Sequence, residues 1–375
     1  MTRADIAIIG AGMAGASLAA EIGDAAHVVL VEAEDRPGYH STGRSAAFWS
    51  ETYGGPAVQP LTTASGSMMR DGGFLRDRGA LHIADDEGLA ALEALRADFA
   101  GSRVALEPLD RPALEAVLPG LLPGWRAGLA EPTCADIDVA ALHGHFLALA
   151  RRAGVKLLAG AEVHGIDRLA GGWRLETRGG PVEADLLVNA AGAWASDVAA
   201  MAGAAPIAIT PYRRTVIQIA VDPPARDDLP LVIDALGRFY FKPGSGGRLW
   251  LSPHDETPTP PCDAAPEEMD VAVAIDRFER LGVGRVTARE HAWAGLRSFA
   301  PDRAPVYGFD ARAPGFFWFA GQGGFGIQTA PAAAMLGAAL VMGRQPPATV
   351  RAIDADRYSP RRFDRASGID DLGRA

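Results

Sequence analysis

The chain has 375 residues, a formal net charge of -10 and 48% hydrophobic residues. That is chain enough for a sizeable core, and an acidic balance without clustered Lys and Arg excludes a nucleic-acid footprint. Two cysteines, Cys134 and Cys262, cannot build a disulfide framework, and neither spacing suggests a metal site. The default expectation is therefore a reducing, cytoplasmic setting with no metal.

The first apolar run, Asp5 to Ile9, predicts a buried strand. Met13 to Glu21 predicts a helix, and His27 to Glu32 a second strand. Ile6 to Ala20 is apolar enough to resemble a signal sequence, but Asp5 precedes it and its glycines recur at functional spacing. Those glycines lie in Gly10-Ala11-Gly12-Met13-Ala14-Gly15, between strand and helix. The first permits a tight turn, the second lets backbone approach a pyrophosphate, and the third lets helix pack on strand. The helix N-terminus then faces phosphate with free N–H groups and a partial positive charge. Glu32, at the end of the second strand, suits ribose hydroxyls and repels a 2′-phosphate, which argues against NADP.

Residues 73–125 carry helical patterns near Asp86 to Phe99 and Arg111 to Val117. His143 and His145 lie two apart in a helical stretch, so they share no face and make a poor metal pair. Ala184 to Asn189 predicts a third buried strand, which runs into a small-residue turn ending at Trp194. Residues 210–255 instead alternate apolar and polar at Thr215 to Ile219, Arg238 to Lys242 and Leu249 to Ser252, with a turn over Pro243 to Gly247. That is the signature of an antiparallel sheet. A fourth buried strand, Phe316 to Ala320, precedes Gly321-Gln322-Gly323-Gly324-Phe325-Gly326, which is expected to open a helix at Ile327. No strand ending in an acid follows, so this loop does not read as a nicotinamide site. It reads as backbone facing the pyrimidine edge of a flavin, which makes FAD the expected dinucleotide. Ala330 to Gly343 suits a buried helix better than a membrane span, and the segment after Ala355 is expected to be loosely attached.

The predicted fold class is α/β: a Rossmann-like FAD-binding domain with an inserted α+β substrate domain on a mostly antiparallel sheet. Residues 1–60, 137–205 and 290–375 are assigned to the first, and 61–136 and 206–289 to the second.

Four segments carry a family likeness: Gly38 to Ala46, Asn189 to Gly192, Trp293 to Ser298 and Gly323 to Thr329. Together they resemble the D-amino-acid oxidase superfamily of FAD-dependent oxidoreductases, most of all its bacterial D-arginine dehydrogenase branch. The resemblance implies that Arg214 and Arg297 grip a substrate carboxylate, as a planar guanidinium fork can. It implies that Tyr53 and Tyr240 close over the substrate, that Gln328 lies at the flavin ring, and that Phe48 stands where the branch carries a histidine. For the cofactor it implies Ala33, Ser41, Thr42, Gly43, Arg44, Ser45, Ala46 and Val163. It adds Ala190, Ala191, Gly192 and Trp194, and then Gly323, Gly324, Phe325, Gly326, Ile327 and Thr329, with Arg297 shared.

Arg213 and Arg214 are adjacent in a predicted strand, so alternation turns them to opposite faces, one of them into solvent. The branch's glutamates, which meet a cationic side chain, are replaced here by Ala80 and Gly237. A guanidinium would be desolvated there without a partner, so a neutral or apolar D-amino acid is expected, oxidised to the 2-oxo acid and ammonia. Arg238 could instead attract an acidic side chain. Oxidation of a 2-hydroxy acid or an N-methyl amino acid, or a non-catalytic flavin-bound role, are the alternatives. FAD is expected to be non-covalent. Quinone or oxygen is expected as acceptor ahead of NAD, with at most transient membrane contact.

Overall fold

The computed structural model describes residues 2–367. The four buried runs pair in one sheet, with Lys156–Leu158, Val28–Val31, Thr2–Ile9 and Val182–Asn189 side by side and parallel. Phe316–Ala320 joins in parallel on the second half of Val182–Asn189, while Gly172–Thr177 and Val163–Leu169 add an antiparallel edge to its first half.

Each central strand is apolar on both faces because both are covered. Ile6, Ile8, Val28 and Leu30 pack with Leu18, Ala150 and Leu336, from the helices Met13–Ile22, Val139–Arg152 and Ala330–Val341. Ala7, Ile9, Val29 and Val31 pack on the other side with Val198 and Ala199 of the helix Ala195–Met201.

The second sheet runs Gln322–Gly323, Arg285–Phe299, Thr210–Asp222, Arg248–Ser252, Tyr240–Pro243, Leu231–Asp234, Ala80–Ala84, Ala127–Glu131, Glu107–Leu109. All of its pairs along this path are antiparallel except Leu231–Asp234 with Ala80–Ala84. Its edge strand belongs to the C-terminal glycine loop, where Gly323 pairs with Ser298, so that loop is stitched to the strand carrying Arg297.

Two expectations need correction, and one element was missed. The helix after the glycine loop starts at Ala330, not Ile327, because residues 324–329 form turns closed by Phe325 N–H to Gln322 O and Thr329 N–H to Phe325 O. The segment after Ala355 is docked as far as it is described. Tyr358 is fully buried and its hydroxyl donates to Ala57 O at 2.8 Å, while Arg362 bonds Asp302 at 2.6 Å; residues 368–375 lie outside the described residues. A helix at Gln59–Asp71 was not foreseen. Its Gly, Ser and Thr content hides it, but Leu61, Ser65 and Met69, spaced by four, are its buried stripe. Among the described residues no helix is long and apolar enough to cross a membrane.

Candidate active site

A cleft of about 420 Å³ runs past the C-terminal ends of the parallel strands. At one end it is lined by Glu32, Ala33 and Val163, in the middle by Gly10, Gly12, Met13 and Ala14, and at the other end by Arg214, Arg297, Gly323, Gly324, Gly326 and Ile327. Ser41, Thr42, Arg44, Ser45, Ala190, Ala191, Gly192 and Trp194 complete the walls among the residues anticipated.

The glycine loop is built as its spacing requires. Gly10 has φ +99°, and a Cβ there would lie 2.5 Å from Ala190 O. The first loop therefore rests against the backbone of the turn at Ala190 and Ala191, and position 10 has no room for a side chain. A Cβ on Gly15 would collide with the Gly10 carbonyl, which is the helix-on-strand contact. Glu32 accepts the Ala11 N–H at 2.8 Å and the Glu34 N–H at 3.0 Å, and Thr42 Oγ1 accepts the Met13 N–H at 3.0 Å. Arg44 is engaged by Asp263 and by Ala264 O at 2.9 Å, so it ties the loop near Asp263 across the cleft.

Seven anticipated residues stand behind the wall and do not line the cleft: Ala11, Gly15, Gly43, Ala46, Phe325, Gln328 and Thr329. Gln328 is the clearest displacement. Its amide accepts Ser50 N–H at 3.1 Å and donates to Tyr53 O at 3.1 Å and Thr62 Oγ1 at 2.9 Å. It therefore holds the loop that carries Tyr53 and faces neither the cleft nor the chamber beside it.

The far end is set by strand register. On Thr210–Asp222 and Arg285–Phe299, Arg214 sits opposite Gly295 and Arg297 opposite Tyr212. The two arginines are thus diagonal neighbours on one face. Arg297 Nη1 donates to the Tyr53 hydroxyl at 3.0 Å. Arg214 donates to Asp255 O at 2.7 Å and pairs with Glu256 at 2.9 Å, but its Nη1 is buried without a partner, as is the Tyr240 hydroxyl. Burial, and then the Arg297 charge, push the Arg214 pKa down to about 10. For Arg297 burial opposes the charge, but the Tyr53 and Tyr240 oxygens outweigh it and raise the pKa. The arrangement pairs a buried cation, Arg214, with a half-buried one, Arg297, and leaves an open donor, suited to an anionic group.

Arg213 corrects an expectation. It does face away from Arg214, but it is only 7% exposed and pairs with Glu267 and with Asp270 at 2.9 Å, so it is not a solvated arginine.

Beyond the arginines lies a chamber of about 350 Å³ walled by Phe48, Tyr53 and Tyr240. Phe48 packs 5.2 Å from Tyr53 and 6.0 Å from Tyr240, ring to ring. Gly237 lines this chamber, while Ala80 is buried beside Phe48 and Tyr240. Arg238 is spent on Asp234 and Asp85, each at 2.7 Å, and does not line it.

His40, between Tyr39 and Ser41, is a weaker candidate that the sequence reading treats as structural; it lines the cleft and bonds Glu34 at 2.9 Å. Other residues here escaped that reading. His82 and His254 line the chamber, and nothing in their local sequence marks them. Glu131, fully buried, accepts from Ser50 Oγ at 2.9 Å, Thr52 Oγ1 at 2.6 Å and Glu51 N–H at 2.6 Å. It clamps from below the loop that Gln328 clamps from the side.

Residues 5–340 match the family described as FAD dependent oxidoreductase. Glycine oxidase from Geobacillus kaustophilus is 26% identical over 366 residues, covering 90% of this chain and 93% of that protein. Hydrogen cyanide synthase subunit HcnC from Pseudomonas aeruginosa is 25% identical over 289 residues, 74% of this chain and 66% of that subunit. In structure, L-proline dehydrogenase from P. horikoshii superposes with a TM-score of 0.84 at 23% identity, covering 97% of this chain and 99% of that one. The elongated cleft fits the dinucleotide of this family: an acid at one end, a glycine loop where phosphates pass, open guanidinium donors at the other. The chain belongs to the FAD dependent oxidoreductase family, with FAD as its cofactor.

Proposed function

We propose that the protein oxidises the Cα–N bond of a free amino acid with a neutral or apolar side chain, giving the 2-oxo acid and ammonia. The observation that carries this reading is the pairing of buried Arg214 with half-buried Arg297, with Arg214 Nη1 and the Tyr240 hydroxyl unpartnered beside the Tyr53–Arg297 bond. A substrate carboxylate satisfies those donors, and a charge-assisted bond of this kind contributes about 1.5–3 kcal/mol. FAD, when bound, supplies the two-electron acceptor. The arginines fix where Cα sits, and Tyr53 and Tyr240 cover it. Water then hydrolyses the C=N bond of the released imino acid.

A neutral side chain is favoured because the chamber holds Gly237, with Ala80 behind its wall, and because Arg238 is paired elsewhere. The last point removes the acidic-side-chain variant. A 2-hydroxy acid needs a base near the carbinol. His254 is disabled as one: burial first, then Arg214 and Arg297, push its pKa down to about 2.

The D configuration, and the likeness to the D-arginine dehydrogenase branch, rest on the motifs quoted above. The relatives include proteins named glycine oxidase and L-proline dehydrogenase, so configuration is part of the test. Quinone or oxygen is proposed as the electron acceptor. The unpaired Cys134 and Cys262 favour a cytoplasmic setting.

The test is anaerobic mixing with D- and L-amino acids, N-methyl amino acids and 2-hydroxy acids, following flavin absorbance at about 450 nm. Neutral amino acids are expected to bleach it fastest. Bleaching by hydroxy acids alone, or by none of the panel, overturns the reading, and equal rates with D-arginine and D-leucine overturn the neutral side chain.

A further inference from the structure

The chamber beyond Tyr240 is mostly apolar, with Phe48, Ile233, Ala91, Ala94 and Leu95 on its walls. Its charged and titratable groups are nearly all committed. Asp234 is fully buried under Arg238, receiving its Nε at 2.8 Å and its backbone N–H at 3.0 Å. His82 is turned to Thr52 Oγ1 at 3.5 Å and to the Glu131 carboxylate at 3.9 Å. Asp98 is exposed, at the end of the helix Leu89–Asp98.

His254 is different. Its Nδ1 lies 2.7 Å from Gly237 O. A carbonyl only accepts, so Nδ1 carries the proton and Nε2 is left with a bare lone pair. Nε2 makes no hydrogen bond among the described residues. The ring stands edge-on to Tyr240 at 5.6 Å. The backbone is held in the left-handed region, φ 57°, unusual for a non-glycine residue, with its N–H on Ser252 Oγ at 3.1 Å. A Cβ on Gly237 would sit 3.3 Å from Nδ1, so a side chain at 237 would crowd the ring. The absence of a side chain at 237 thus leaves His254 as the group presented there.

We propose that His254 sets side-chain specificity, accepting at Nε2 a hydrogen bond from the N–H or O–H of a neutral substrate side chain. This rests on the reading that the chamber receives the side chain of an amino acid whose carboxylate is held by Arg214 and Arg297. Burial, and then the nearby Arg214 and Arg297 guanidiniums, keep the ring neutral, so it does not turn into a cation to welcome a carboxylate. A cationic side chain would enter against the same two positive charges, and the uncommitted carboxylate among the chamber's described lining, Asp98, is exposed to solvent. An apolar side chain fits but leaves the lone pair dry. The class selected is an amide, an indole, a phenol or an alcohol.

The experiment compares substrates matched in shape and differing in the donor: tyrosine with phenylalanine, tryptophan with 1-methyltryptophan, glutamine with methionine, each in both configurations. Anaerobic flavin reduction gives the rates. In the wild type the donor-bearing member of at least one pair is expected to lead by about tenfold, the worth of one buried hydrogen bond. In His254→Asn, whose side chain tolerates the left-handed backbone, and in His254→Phe, that ratio is expected to collapse towards one. Ratios near one for every pair in the wild type overturn the proposal even if neither variant folds, as does a ratio that survives both substitutions. Failure of every amino acid to reduce the flavin has a different signature, since it removes the amino-acid reading itself and the proposal with it.

Discussion

The cofactor cleft and the chamber beyond it meet at Arg297 and Tyr53 but are made of different material. The cleft is largely backbone: Gly10 against Ala190, the Met13 N–H on Thr42, the paired strand at Gly323. The chamber is side chain, delivered by separate segments: Tyr240 from a strand of the large sheet, Phe48 from the short strand Phe48–Trp49 paired with Ala135–Ile137, and Tyr53 and His254 from loops. A dinucleotide with invariant phosphates can be met by a short contiguous motif, since backbone geometry is local. A variable side chain has to be met by residues whose proximity is tertiary. If that division is right, damage to the cleft should empty the protein of flavin, and damage to the chamber should spare flavin and change turnover.

The largest effect is expected from Gly10→Ala. Its Cβ meets Ala190 O at 2.5 Å and its φ of +99° is costly for any side chain. The purified variant should hold less than about a tenth of the wild-type flavin, a direct reading of the two-part steric and backbone cost of order 1–3 kcal/mol or more. Normal flavin content would break the comparison from the cleft side. Next is Arg297→Ala, which strips the Tyr53 hydroxyl of its donor and the site of one cation. Truncating one side of a buried charge pair costs about 2–5 kcal/mol, so kcat/KM should fall by about 10²-fold or more while flavin remains bound. Loss of flavin instead would show that the boundary residue belongs to the cleft. Third is Glu131→Ala. It leaves Ser50 Oγ, Thr52 Oγ1 and Glu51 N–H without their buried acceptor, each loss costing about 1–3 kcal/mol. Thermal stability should drop and KM should rise, because the same loop carries Tyr53; a raised KM with unchanged stability would mean the clamp is not structural.

Legibility follows the same division. The strands Thr2–Ile9, Val28–Val31, Val182–Asn189 and Phe316–Ala320 were readable because burial on both faces leaves an apolar stretch in each, over residues 6–9, 28–31, 186–188 and 316–320. The glycine loop was readable because its chemistry is contiguous. Arg214 and Arg297 were anticipated from resemblance, and register puts them on one face; alternation by itself separated Arg213 from Arg214 but could not foresee that Glu267 and Asp270 would cover Arg213. Gln328 was assigned to the ring by the resemblance, whereas the turns over residues 324–329 aim it at the Tyr53 loop. His254 and Glu131 carried no local signal. One is defined by a strained backbone and the other by donors roughly eighty residues away, and neither condition is written in nearby sequence.

His254 also yields the smallest prediction, one that sharpens the comparison without touching turnover. Its folded-state pKa is pushed from 6.5 down to about 2, by burial first and by Arg214 and Arg297 next. Below about pH 6.5 the unfolded chain takes up a proton on this ring that the folded protein refuses, so stability falls as pH falls. Between pH 7 and pH 5 this one group should remove about 2 kcal/mol. Asp255 acts in the opposite sense, since burial raises its pKa and acid relieves its charge, but it is common to both proteins in a comparison of wild type with His254→Asn. Denaturant unfolding at the two pH values should therefore show a shallower loss in the variant by about that amount. Equal losses would mean that the ring is hydrated and protonatable, and that the chamber is wet.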